Sequence, residues 1–204
     1  MLTGRPDEVA ADIRSRASRY GRHPEDIKIC VAISLIVGGT EAEAQAKSDD
    51  LRQTLSLEGG LSHMSGHLGV DLSDIDPDRP IGDYDFNSVQ GILKTFAATA
   101  PDKTWTFGDL AQRQMAGQWL AGSPEQVADK LEKIAAAGAE GFNLLYATTP
   151  GSFVDFIDGV VPILQRRGLM QTEYAPGPLR QKVFGSPRLP TNHPGAGFRG
   201  TYPQ

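Results

Sequence analysis

The chain has 204 residues, with 20 Lys and Arg against 25 Asp and Glu, and so a formal net charge of −5. That length can bury a real core in one or two domains, and an acidic balance without a basic cluster argues against nucleic acid as the main partner. A single cysteine excludes an internal disulfide framework and a multi-cysteine zinc site. No run reaches the roughly 18 apolar residues of a membrane span, and Asp7, Glu8 and Asp12 stand where a signal peptide needs apolar side chains. These features read as a cytoplasmic protein with no membrane partner.

The first element is a helix over 6–20, with Val9, Ile13, Ala17 and Tyr20 on one face, acidic residues in its first turn and Gly21 as its stop. Residues 27–37, IKICVAISLIV, are apolar at almost every position and rich in β-branched side chains. Such a run, closed by Gly38-Gly39, reads as a strand buried on both faces of a parallel sheet, with Cys30 as a small core residue. Thr40 with Glu43 three residues on predicts a capped helix over 40–55. Helix, strand, glycine turn and capped helix make the rhythm of an α/β protein.

From 57 to 84 no single period fits, yet Leu61, Met64, Leu68, Val70, Leu72 and Ile75 are too many apolar residues for a free linker. The segment reads as an excursion packed on the body. Helices follow over 88–98 and 106–115. Ser123-Pro124-Glu125-Gln126 is the clearest helix start in the chain, opening a helix that Gly138 ends. FNLLYA, 142–147, is the second strand, and 152–167 returns as a helix carrying Pro162 within its pattern. The domain reading is a body over 1–168 and a tail rich in Pro and Gly over 169–204. The two strands are expected side by side and parallel.

No complete catalytic constellation is visible. His63 and His67 are spaced i, i+4, which on a helix would put both imidazoles on one face, but Gly60, Gly66 and Gly69 disfavour a helix there. A packed or solvated pair is the plainer reading, a histidine facing a pocket the sharper one, and no metal site is assigned. Asp74, Asp76 and Asp78 lack the glycine of a calcium loop and read as a solvated turn. Thr148 and Thr149 leave a parallel strand at the end where ligands gather, or form a simple loop.

Four blocks occur in order: VAISLIVGGTEAEAQAK, SGHLGVDLSDIDPDRPI, the long run from WLAGSPEQVADKLEKI to QTEY, and LRQKVFG. Together they resemble the C-terminal half of a flavin-dependent monooxygenase of the bacterial-luciferase-like superfamily. The branch is that of nitrilotriacetate monooxygenase component A, dibenzothiophene sulfone monooxygenase and the long-chain alkane monooxygenase. The resemblance implies an α/β fold, the C-terminal part of a (β/α)8 TIM barrel, with the excursion inserted over its mouth and an extended tail. It implies FMN in reduced form, delivered by a separate NAD(P)H:flavin reductase, a small organic substrate, and a homo-oligomer. A complete barrel takes about 250 residues, so the first six strands and most flavin ligands are expected outside this chain. The flavin-binding residues are therefore left unassigned. The resemblance places a histidine of the excursion near the substrate, with His63 the first candidate catalytic residue and His67 the second. The rival reading is a non-catalytic remnant, or a subunit acting only with a missing N-terminal half.

Overall fold

The structure, a computed structural model, describes residues 6–84, 100, 102–116 and 119–200. The helix expected over 88–98 lies outside the described residues. Two compact units divide at Leu169 and Met170.

In the first unit, β1 (Cys30–Val37), β2 (Trp119–Gly122) and β3 (Gly141–Leu145) form one sheet in the order β2-β1-β3. Both pairings are parallel: Cys30 lies opposite Gly141 on one edge of β1, and Val37 opposite Gly122 on the other. The two expected strands are thus parallel neighbours. The third was not foreseen, because WLAG is four residues long and lacks β-branched side chains.

The helices of this unit are α1 (Pro6–Arg19), α2 (Glu41–Gln53), α3 (Leu57–Leu68), α4 (Phe107–Ala116) and α5 (Pro124–Ala136), of which α2 and α5 pack on the sheet. After β3 come α6 (Gly151–Asp155), a π-helical turn over Phe156–Val160, and α7 (Val161–Arg166). Pro162, without an N–H to donate, sits at the start of α7 just after that wide turn. One core joins Leu35 and Val37 of β1 to Val127, Ala128 and Leu131 of α5 and to Phe156, Val160, Ile163 and Leu164, with Leu120, Phe142 and Leu144 packed beside them. The odd positions of β1 and even positions of β2 and β3 therefore face helices.

The opposite face differs from expectation. Cys30 is exposed rather than a core residue, as are Ala32, Asn143 and Leu145, so β1 is buried on both faces only toward its end, where Ile36 is 4% exposed. Helix α1 also turns otherwise than its pattern implied: Ala10 and Ala17 are buried while Tyr20 is 84% exposed. The cause is close approach. A Cβ at Gly138, which turns the chain at φ +110°, would come within 2.8 Å of the Ala10 Cβ, so small side chains face inward there.

The excursion is ordered. Leu57–Leu68 is helical despite its glycines because Ser56 Oγ accepts from Gly59 N–H (3.0 Å) and Gly69 closes it in the left-handed region. Met64, Leu72 and Ile81 pack with Trp105, Phe107, Leu110 and Ala111 in a second core, and the tertiary burial of that face outweighs the helix penalty of glycine. Helix α4 opens with a reciprocal box: Thr106 Oγ1 accepts from Asp109 N–H and Asp109 Oδ2 from Thr106 N–H, each at 3.2 Å.

Glu140, just before β3, ties the start of the sheet together. Its carboxylate takes Lys28 Nζ at 2.7 Å and Ile29 N–H at 3.2 Å, with Arg14 at 3.5 Å. Burial alone would raise this carboxyl, but the bonds from Lys28 and Ile29 and the nearby Arg14 charge outweigh it and hold it below the usual range. Its contribution is complete above the unfolded pKa and is lost as pH falls through the lowered folded one. Glu140→Gln is expected to cost about 1 kcal/mol near neutral pH, allowing for solvent screening of a partly exposed pair. Urea unfolding measured between acidic and neutral pH should show the two proteins converging at acid.

The second unit, described to Gly200, holds α8 (Leu179–Phe184), capped by Gly185 at φ +72°, and a 3₁₀ turn over Pro194–Phe198 where His193 Nδ1 accepts from Gly195 N–H. Arg180 lies over the Phe184 ring at 4.6 Å.

Candidate functional site

Parallel strands end together, and the loops that follow them build concave sites. After Val37 the chain turns through Gly38-Gly39 into α2. Thr40 Oγ1 caps the Glu43 N–H (3.2 Å), while the Glu43 carboxylate accepts from Gly39 N–H (2.9 Å). One turn on, Lys47 reaches back: its Nζ donates to the Val37 carbonyl and to Asp155 Oδ2, both at 3.0 Å, and lies 3.4 Å from Glu43 Oε1. The bond to Asp155 chiefly raises the Lys47 pKa above its ordinary value, with Glu43 adding to it, so the ammonium is held charged.

After β3, Ser152 Oγ accepts from the N–H groups of Ala147 (3.1 Å) and Thr148 (3.0 Å), and fixes the loop. The Thr149–Pro150 bond within it is cis. Between the two loops lies a cavity of about 190 Å³ lined by Ile36, Val37, Lys47, Asp50, Leu51, Ala147, Thr148, Ser152 and Asp155. It offers one ammonium, two carboxylates and two hydroxyls on an apolar floor, a site for a small polar group.

Thr148 lines this cavity; Thr149 does not. Lys47 and Asp155 were missed. The i, i+4 pairing of Glu43 with Lys47 was legible, but the partner at Asp155 lies 108 positions away and leaves no local signal. His63 and His67 share the exposed face of α3, their ring centroids 4.3 Å apart. His67 Nδ1 lies 3.1 Å from the His63 carbonyl, an acceptor to which it can only donate. Neither imidazole lines the cavity. Among the described residues no cluster of three His, Cys, Asp or Glu could hold a metal. No described helix is long and apolar enough to cross a membrane. The acidic run is a set of turns, with Asp76 Oδ1 accepting from Asp78 N–H at 3.0 Å.

A family profile described as luciferase-like monooxygenase matches residues 5–141. The chain belongs to the luciferase-like monooxygenase family. The dimethyl-sulfide monooxygenase of Hyphomicrobium sulfonivorans is 36% identical over 201 residues, 96% of this chain and 42% of that protein. The long-chain alkane monooxygenase of Geobacillus thermodenitrificans is 39% identical over 194 residues, 92% of this chain and 40% of its own length. Dibenzothiophene-sulfone and nitrilotriacetate monooxygenases are further relatives, as the branch resemblance implied. A solved riboflavin lyase, holding a modified FMN and riboflavin, aligns over 95% of this chain and 44% of its own, with a TM-score of 0.78 and 30% identity. The α/β fold is thus that of luciferase-like structures, and the chain spans about two-fifths of the length of the curated relatives it matches.

A flavin does not fit this cavity by itself. The cavity of about 190 Å³ falls below the roughly 300–1,000 Å³ of pockets for ligands of that size. Lys47, the cation lining it, is already bonded to Asp155 and beside Glu43, which leaves it no surplus charge for a phosphate.

Proposed function

We propose that the chain is the C-terminal portion of an FMN-dependent monooxygenase of the nitrilotriacetate type, with residues 1–168 as part of a (β/α)8 barrel carrying the 57–84 excursion and 169–204 as its tail. The observation that carries this reading is the family match over 5–141 together with a polar cavity at the C-terminal end of a parallel sheet. Reduced FMN, supplied by an NAD(P)H:flavin reductase, would bring the oxygen chemistry, and the reading includes a small organic substrate, a homo-oligomer and a cytoplasmic setting. This chain's own part is positional. Lys47 and Ser152 hold the two strand-end loops, and the α3 histidines supply a hydrogen-bonding imidazole toward substrate, His63 first and His67 second.

The test is a chimaera in which this chain replaces the matched region of the Hyphomicrobium enzyme. With reduced FMN it should oxygenate dimethyl sulfide, and a folded, flavin-binding chimaera without activity would overturn the reading. In that setting His63→Ala should lower turnover by about 10²-fold, the scale of a lost acid–base or hydrogen-bonding group, with FMN affinity unchanged. Wild-type turnover in both His63→Ala and His67→Ala variants would remove the histidine role. The misfit of flavin to this cavity favours a second reading, a remnant or subunit that acts only with another polypeptide.

A further inference from the structure

The four histidines of the chain divide by what their Nδ1 atoms do. His23 Nδ1 accepts from Glu25 N–H at 3.3 Å, and His193 Nδ1 from Gly195 N–H at 3.0 Å. The neutral form of each therefore carries its proton on Nε2 and has no lone pair left for a cation. His67 is the reverse, with Nδ1 at 3.1 Å from the His63 carbonyl. Metal coordination takes the neutral ring, and with the Nδ1 proton on that carbonyl the free lone pair is on Nε2. An Nδ1–H held by a backbone carbonyl is the support that metal-ligating imidazoles commonly have. His63 stands one turn earlier on the same exposed face, the two ring centroids 4.3 Å apart and the planes inclined by 56°.

That separation has a geometric meaning. A cation about 2.1 Å from each Nε2 stands about 3.2 Å from each ring centre, so ligands at right angles set the centres about 4.5 Å apart and tetrahedral ligands about 5.2 Å. The observed 4.3 Å is that of adjacent ligands on a square-planar or octahedral cation. We propose that His63 and His67 form a two-imidazole chelate for a borderline divalent transition cation of the Ni2+ or Cu2+ class, whose tetragonal preference and affinity for imidazole suit that angle. The helix pre-sets the pair. Met64, 1% exposed, anchors α3 in the second core between the two histidines, and Ser56 and Gly69 cap its ends. A Cβ at Gly66 would meet nothing within 4 Å, so that flank of the pair is open to the waters of the cation. Two protein ligands leave the other positions to water, which makes the site exchangeable rather than structural.

The test is calorimetric titration of the untagged chain with Ni2+ itself, so it stands or falls apart from the monooxygenase reading. Wild type should take up one cation. His63→Ala and His67→Ala should each bind it at least about tenfold more weakly, since even the loss of an outer partner of a metal ligand weakens binding by that much. His23→Ala and His193→Ala should bind it as wild type does. The double variant Ser62→His/His63→Ala keeps four imidazoles, but places the pair five residues apart and about 140° around the helix. It should bind as weakly as the single α3 variants, and Ser62 is exposed, so the exchange disturbs no core. The Cys30 thiol and the N-terminal amine persist in every variant and cannot produce this pattern. Mg2+, which seeks oxygen ligands, should not compete. Far-UV circular dichroism equal to wild type confirms that each variant is folded. The proposal is overturned if either single α3 variant or the shifted pair binds Ni2+ as wild type does, or if wild type shows no one-to-one uptake.

Discussion

Gly38→Ala should unfold a large share of the molecule. A Cβ there would sit 2.4 Å from Ala44 N, 2.9 Å from Ala44 Cα and 2.9 Å from the Glu43 carbonyl carbon. All three are backbone atoms of the first turns of α2, so no side-chain rotation relieves the clash. The helix must back away, and with it go the Gly38–Gly122 bond that ends the β1–β2 ladder and the reach of Lys47 to Val37 and Asp155. Overpacking of this kind costs about 3 kcal/mol or more, a large fraction of the stability of a domain this size. Gly39→Ala is the internal control: its Cβ would meet only the mobile end of Glu43, at 3.0 Å. Urea midpoints should fall steeply for Gly38→Ala and by less than about 1 kcal/mol for Gly39→Ala. Equal midpoints would show that the β1–α2 junction yields where its backbone contacts imply it cannot.

Titrating the purified chain with FMN should give no saturable change in flavin fluorescence up to about 100 µM, a scale on which an intact flavin site of micromolar affinity would be full. A phosphate needs free N–H groups at a helix N-terminus or nest. At α2 the Glu43 N–H is held by Thr40 and the Gly39 N–H by Glu43, with Glu41 and Glu43 in the first turn. At α5 the Ser123 and Gln126 N–H groups are spent on their capping box, and Gln126 Nε2 bonds Glu41 at 2.8 Å. Both termini thus present partly satisfied donors beside carboxylates, and those carboxylates repel a phosphate dianion. A one-to-one micromolar isotherm from the monomer would overturn this expectation.

The two expectations draw on different layers of the molecule, and the layers differ in how far the sequence discloses them. The Ser123–Gln126 box, the Thr40 and Thr106 caps and the glycine closing α5 were readable because each interaction joins groups three or four residues apart. Strand β1 and its parallel partner were readable because continuous apolar runs mark strands of a parallel sheet, although the burial such a run implies is not met at Cys30, Ala32 and Leu145. Membership of the luciferase-like family was likewise legible, carried by the order of its blocks.

The remaining features depend on contacts that no short window contains. Helix α3, set against its glycines, exists because Met64 and its neighbours find Phe107 and Leu110 some forty positions on. Strand β2 is four residues that extend because they pair with the edge of β1 and set Leu120 beside the core. The inward face of α1 was decided by the space Gly138 leaves beside Ala10, not by the spacing of its larger apolar residues. The polar cavity needed Asp155 to meet Lys47 across 108 positions. Local hydrogen bonds and apolar periodicity are properties of the chain itself, so the sequence determined the caps, the central strand and the family. Strand order, helix facing and the pairing of distant charges are settled by which surfaces compete for burial once the chain has closed on itself, and those only the tertiary structure decided.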